Sequence, residues 1–375
     1  MAKTITPNLS ILAGSELGNM MRLFANNKVD STYYLKLLGV TGVGLISTPF
    51  HWYEKLYYHN KLKNHSIEDP VFILGHWRSG TTLVQNIMSL DPQAGFVSTL
   101  QSLFPEVVAS KSVFRYFMQL TLPERRPVDN MRLNADYPME EEFAIGNTNS
   151  YSFYNGWCFP QEMIDFYKKA IEFEGLTDGE IQQWKADYLR ILKKAAFEAN
   201  RDRLVIKNPP HTGRIPMLLE MFPNAKFIHI HRNPVNVFLS TRKLYRSTSE
   251  NIRFQRISDE ELENKILEVY KLIMNHYWAT KDLIPAGNLK EIRFEEFEQD
   301  PYNGTKEIFD DLALPGFDKA APRFKAYIDS RRNFKRNKHQ ISREELDKVL
   351  NEWGFAMERW GYEVPEDIEI TNNKS

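Results

Sequence analysis

The chain has 375 residues, 42% hydrophobic and 13% aromatic, which excludes an intrinsically disordered polypeptide and allows a large buried core. Its 48 Lys and Arg against 49 Asp and Glu leave a formal net charge of −1, so no global field recruits nucleic acid or an anionic membrane, and any strong cation site must be local. The single cysteine, Cys158, excludes an intrachain disulfide and a cysteine metal cluster and reads as a buried structural thiol.

In chain order, the first distinctive segment is Leu37 to Phe50, the most apolar stretch of the sequence. It is too short to span a bilayer and contains Gly39, Gly42, Gly44 and Pro49. No basic segment runs directly into a long apolar one, so no signal peptide is expected and a cytoplasmic protein is the default reading, with a peripheral membrane contact through this stretch as the alternative. Next, Val71-Phe72-Ile73-Leu74 predicts a buried strand, Gly75 to Gly80 a glycine-bounded turn, and Thr82 to Met88 a helix with apolar residues at helical spacing. A strand, a turn and a helix N-terminus aim backbone N–H groups and the positive end of a helix dipole at one point, which makes an anion site. Gly75 and Gly80 have the gap of a Walker A loop, but Thr81 stands where a nucleotide hydrolase has Lys, and the cation is Arg78, inside the loop.

Further along, Asp136-Tyr137-Pro138 precedes the carboxylate run Glu140-Glu141-Glu142. Aromatic residues cluster at Trp52-Tyr53, at Tyr57-Tyr58 and from Tyr151 to Phe159, as in the wall of a lipid or sugar pocket. Thr177-Asp178-Gly179-Glu180 reads as a capping box that opens a helix through Ala195. Leu204-Val205-Ile206 predicts a second strand, ending in Lys207 with His211 shortly after it. Phe227 to Ile230 predicts a third, placing Arg232 at the C-terminal strand edge where open α/β sheets bind ligands. Pro234 suits a first helical turn, and Ser240 follows two turns later. Ser258-Asp259-Glu260-Glu261 opens another helix, and Ser342-Arg343-Glu344-Glu345 opens one running to about Trp353. Strands that end in ligand-like residues and lead into helical patterns argue an α/β chain with a parallel sheet and crossover helices. One domain, residues 1–375, is expected, with its motifs in about 70–300 and helical extensions at 1–68 and 320–375 around the acceptor and cofactor sites.

Arg78-Ser79-Gly80-Thr81-Thr82-Leu83 resembles the 5′-phosphosulfate loop of sulfotransferases that use 3′-phosphoadenosine 5′-phosphosulfate (PAPS). Ala225 to Ser240, with Arg232-Asn233-Pro234 and a Ser eight residues after the Arg, resembles the 3′-phosphate motif of the same family. Leu204 to His211 is similar to the strand ending in Lys-Ser-Pro of the tyrosylprotein and bacterial branches, with Asn208 in place of Ser. Ile292-Arg293-Phe294-Glu295-Glu296-Phe297 with Asp300-Pro301 is similar to the late strand and acidic turn.

The resemblance implies a three-layer, P-loop-like fold and an enzyme moving a sulfonate group from PAPS to an acceptor hydroxyl, with no metal. It implies that Arg78, Ser79, Gly80, Thr81, Thr82, Arg232 and Ser240 bind the cofactor, with Arg78 also the leaving-group cation and Lys207 a second cation. Sulfonate transfer builds negative charge on the departing phosphate and needs a base at the acceptor hydroxyl. No carboxylate lies in Val97 to Gln101, where the tyrosylprotein branch has a Glu, so the candidates are Glu140 or its neighbours Glu141 and Glu142, or His211. His76 and His231 flank the anion motifs and tune or pack. The basic run 331–339 either folds over the 3′-phosphate or is a solvated charge run. The apolar N-terminal region favours a lipophilic alcohol such as a sterol, steroid or lipid, with a carbohydrate second. A degenerate P-loop kinase and a non-catalytic nucleotide-binding protein are the readings from other classes.

Overall fold

The computed structural model describes residues 10–121, 134–331 and 340–371. The elements that matter below are helix α1 (Tyr34–Tyr58), strand β1 (Val71–Leu74), α2 (Thr81–Met88), α3 (Lys111–Thr121), α4 (Asp178–Ala199), β2 (Arg203–Lys207), β3 (Lys226–His231), α5 (Pro234–Ile252), α6 (Asp259–Thr280), β4 (Leu289–Arg293) and α7 (Arg343–Trp360). The chain is α/β, a parallel sheet flanked by helices, and it divides into two compact units. The first comprises Met1–Glu68, Gly95–Ile206 and Tyr245–Ser258; the second comprises Asp69–Ala94, Lys207–Leu244 and Asp259–Ser375.

In the second unit, β1, β3 and β4 are neighbouring parallel strands, with Val71 opposite Lys226 and His231 opposite Arg293. All four β1 residues are buried, as expected of a parallel strand covered on both faces. Alternation along β3 sends Phe227, His229 and His231 to one face. Phe227 stacks on Phe72, His229 on Tyr277 of α6 with centroids 3.8 Å apart, and His231 on Trp360 of α7 at 4.7 Å. These flat contacts fix the strand ends that carry the anion motifs. The cap of α7 is the one anticipated: Ser342 and Glu345 close a capping box. The helix runs on past Trp353, however, and stops at Trp360, where Gly361 takes the left-handed conformation. Trp353 is a mid-helix core residue stacked on Tyr270 at 3.8 Å, so its packing marks burial rather than an end.

The first unit is mainly helical. Thr177 and Glu180 cap α4 as expected. One apolar cluster gathers Leu12, Met20, Leu23, Tyr33, Val40 and Cys158, and a second gathers Tyr58, Phe104, Val107, Phe114 and Met118. A buried ionic chain links α1 to α4: Lys194 Nζ lies 2.8 Å from Glu54 Oε1 and 3.3 Å from Glu106, and Arg190 donates to Glu106 at 2.5 Å. Those two cations hold the Glu106 carboxyl down at about 2 against the opposing pull of burial. Pro49 sits inside α1 without breaking it. The hydroxyls of Ser47 and Thr48 both donate to the Gly44 carbonyl in the preceding turn.

Candidate active site

Local sequence explains the loop between β1 and α2. Gly75 has φ 135° and Gly80 has φ 105°, conformations that side-chain-bearing residues rarely adopt. A Cβ on Gly75 would lie 2.4 Å from the Ile230 carbonyl oxygen, and one on Gly80 would lie 2.3 Å from the Phe294 ring. Both positions therefore need glycine twice over, for torsion and for space. Ser79 closes the turn, its hydroxyl donating to the His76 carbonyl at 2.7 Å. Gly75 N–H donates to Thr212 Oγ1 at 2.8 Å, which ties the loop to the turn following Lys207. Gly80 then serves as the N-cap of α2. The first N–H groups of that helix have no acceptor within it and point toward the loop opening, as helix N-termini do.

Arg78 is the one non-glycine residue of the loop with a positive φ, 69°. That backbone turn brings its Nε to within 2.8 Å of Ser240 Oγ on α5. Arg232 Nη1 in turn donates to the Arg78 carbonyl at 3.3 Å, and its guanidinium lies over the Phe294 ring at 4.4 Å. The two anion motifs, read from sequence as separate sheet-edge sites, thus form one junction in which each touches the other. Asn233 shapes the second motif. Its side chain accepts from Val235 N–H, and its own N–H donates to Glu295 Oε1 at 3.1 Å. Pro234 takes the first helical position, as expected.

The neighbouring histidines pack. His76 is fully buried, faces Tyr270 and Trp353, and lies 2.9 Å from the Trp77 carbonyl through Nδ1. Burial lowers its pKa to about 3, so the ring is neutral. His231, stacked on Trp360 and bonded to Tyr362, is lowered to about 4, again chiefly by burial.

Lys207 ends β2 and is 2% exposed. His211, four residues on, is wholly buried with its ring edge-on to Phe72, and its Nδ1 accepts from Arg214 Nη1 at 3.3 Å. That contact engages the Nδ1 lone pair of His211.

The carboxylate run belongs to the first unit, and all three side chains are buried rather than solvated. Glu142 opens a short helix, and its Oε1 accepts from Phe153 N–H at 2.7 Å and Ser152 Oγ at 2.9 Å, which makes it a brace for the 150–154 turn. Glu141 accepts from Tyr188. Glu140 accepts from the Tyr154 hydroxyl. The stretch 97–101 uses its one long polar side chain structurally, Gln101 closing a capping box with Ser98 ahead of a helix that begins at Thr99.

The aromatic clusters divide between core and surface. Phe153, Tyr154 and Phe159 are fully buried core, and Trp52 and Tyr53 face outward at 71% and 50% exposure. Of the basic run 331–339, Arg331 donates to Tyr327 Oη, and residues 332–339 lie outside the described residues. Two contributors went unread in the sequence. Thr212 has no local signal at all. Phe294 lies in the late motif, but its ring is placed against Gly80 and Arg232 only by the pairing of β3 with β4, and it opens a helix rather than extending the strand.

A model of the sulfotransferase family matches residues 70–319. Over nearly the whole length, the chain is 27% identical to the omega-hydroxy-beta-dihydromenaquinone-9 sulfotransferase Stf3 of Mycobacterium bovis and of Mycobacterium tuberculosis, across 363 residues that cover 95% of this chain and 93% of each relative. The solved structure of sulfotransferase STF1 from Mycobacterium tuberculosis H37Rv superposes with a TM-score of 0.66 at 12% identity, covering 90% of this chain and 91% of its own. Sulfotransferase STF9 from Mycobacterium avium superposes with 0.64 at 16% identity, covering 84% and 82%.

Proposed function

The chain belongs to the sulfotransferase family, and on that premise we propose that it takes PAPS as donor and passes the sulfonate group to the hydroxyl of a lipophilic alcohol, without a metal. The observation that carries the donor reading is the junction in which Arg78 donates to Ser240 and Arg232 donates to the Arg78 carbonyl. It supplies two planar cations, a hydroxyl and a helix N-terminus in one place, which suits a ligand with two phosphate groups. Gly75 and Gly80 let the loop close tightly against Ile230 and Phe294, which holds the Arg78 turn in place beside that helix end.

When bound, PAPS supplies an activated sulfonate and a phosphate on which negative charge grows. Thr81 and Thr82 offer N–H groups at the start of α2. Ser240, accepting from Arg78, keeps its own O–H to donate toward an anion, and Arg232 adds the bidentate cation that makes these two the proposed 3′-phosphate clamp. Arg78 is the proposed cation at the departing phosphate and Lys207 the second. Glu140 is the proposed base for the acceptor proton, because Glu142 braces the backbone and His211 holds its Nδ1 lone pair against Arg214. We take both units as one sulfotransferase domain, since the chain passes between them repeatedly. A lipophilic acceptor is supported by the relatives named for omega-hydroxy-beta-dihydromenaquinone-9, which align along 95% of the chain.

Two measurements test this. Calorimetry should show binding of 3′,5′-adenosine bisphosphate without Mg²⁺, and Mg²⁺-dependent ATP binding in its place would sink the donor assignment. A turnover assay with sulfonate-labelled PAPS and mixed hydroxylated lipids and sugars should label the lipid fraction, and label only in the sugars would overturn the acceptor class.

A further inference from the structure

Helix α1 is patterned the wrong way round for a helix that faces water. In an ordinary surface helix the outward positions are polar and the inward ones apolar. Here the outward positions are Tyr34, Leu35, Leu38, Gly39, Leu45, Ile46, Pro49, Trp52, Tyr53, Lys55 and Leu56, and Lys55 alone among them is charged. The inward side, by contrast, holds the polar Ser47, His51 and Glu54 alongside Val40, Gly44 and Tyr58, with Glu54 tied to Lys194. At about 100° per residue, Leu35, Ile46 and Tyr53 fall on one line, and Leu38, Leu45, Pro49 and Leu56 lie beside it, whereas Lys55 points away from that stripe. Leu35 is 84% exposed, Leu56 79% and Ile46 74%. Through the Phe50–Phe114 contact, α1 lies against α3, whose Val113 and Tyr116 are also exposed. An apolar surface of this extent on one helix marks an interaction site.

We propose that α1 is a membrane-docking helix that lies flat in the lipid–water interface of a bilayer carrying anionic headgroups. The occupant follows from chemistry on that surface. Lysines lie beyond both ends of the stripe: Lys28 precedes it, and Lys61 and Lys63 follow, all exposed. From residue 28 to residue 63 there are five lysines against two acids, Asp30 and the buried Glu54. Lys55 pairs with Glu16 and Lys36 donates to the Glu250 and Arg253 carbonyls, which leaves Lys28, Lys61 and Lys63 at the ends of the stripe. A helix with an apolar face, interfacial Trp and Tyr, and flanking lysines is the composition that binds anionic interfaces. Spanning is excluded by the polar inward side, and no helix among the described residues is long and apolar enough to cross a membrane. Pairing of α1 with a second copy, parallel or antiparallel, brings lysine-bearing ends together, which like-charge repulsion disfavours. The inference rests on this surface alone and is independent of the acceptor's identity.

The test uses the full chain in flotation with vesicles of phosphatidylcholine alone or mixed with phosphatidylglycerol. The expected result is flotation with the anionic vesicles, weakened by salt and weak with phosphatidylcholine alone. The double variant Leu45→Glu/Ile46→Glu places good helix formers at exposed positions, so the fold should persist, and vesicle affinity should fall ~10-fold or more. Lys61→Glu/Lys63→Glu should remove the preference for anionic lipid. Because Cys158 is fully buried, Leu38→Cys can carry a single environment-sensitive fluorophore, whose emission should shift blue on vesicle addition. Absence of flotation, flotation unchanged by Leu45→Glu/Ile46→Glu, or a dimer in sedimentation that the same variant dissociates without any vesicle binding would each overturn the proposal.

Discussion

The β1–α2 loop and the Glu140–Glu142 run are both short polar motifs, yet the fold uses them in opposite ways. In the loop, the chain keeps side chains out. Two glycines occupy positions where a Cβ collides with Ile230 or Phe294, and Arg78 is turned outward by a positive φ onto Ser240 from another motif. In the carboxylate run, the chain brings side chains in, and Glu142 is consumed by bonds to Phe153 and Ser152. Identical residues close in sequence therefore differ in their partners: Glu142 accepts from Phe153 N–H and Ser152, Glu140 from the Tyr154 hydroxyl. A glutamate that accepts from backbone is a brace, and an arginine whose partners come from a second motif ties the two motifs together.

The largest expected effect sharpens that contrast at the loop. Arg78→Ala should lower turnover ~10³-fold with an unchanged melting temperature, because it removes the cation proposed for the departing phosphate; near-normal turnover would break the assignment. Gly80→Ala should destabilise the protein by about 3 kcal/mol, from backbone strain and the Phe294 collision together, which urea unfolding will read. In the carboxylate run, Glu140→Gln should lower kcat ~10²-fold at little loss of stability. Glu142→Ala should do the reverse, destabilising by about 2 kcal/mol by stranding the Phe153 N–H. If the two variants behave alike, the distinction between base and brace fails. Arg232→Ala should weaken 3′,5′-adenosine bisphosphate binding ~30-fold in calorimetry, the worth of one charge-assisted contact.

A further effect concerns acid. The folded pKa of His76 is about 3, against 6.5 for an ordinary histidine. Between those values the unfolded chain holds a proton that the folded chain does not, so lowering the pH through that window favours unfolding. The slope reaches about 1.4 kcal/mol per pH unit. His76→Asn should therefore narrow the gap between urea midpoints measured at neutral and mildly acid pH.

Much of the molecule was legible from residues alone. The capping boxes at Thr177 and Ser342, the buried strands at Val71 and Phe227, and the glycine-bounded turn are short-range features, each decided by torsional preference or by period within a few positions. The length of α7 and the burial of Tyr154 were not legible, because an aromatic residue reads the same at an element's end, in a pocket wall or in a core. The sequence by itself determined that two strands end in turns and that those turns carry Arg78 and Arg232. Only the tertiary structure decided that Arg78 and Ser240, 162 positions apart, bond directly, that Glu142 is a brace, and that α1 turns its apolar side outward. The physical reason is range: backbone torsion and hydrogen-bond period act over a few residues and are written locally. A side chain's partner depends on which distant segment the packing of the whole chain brings beside it.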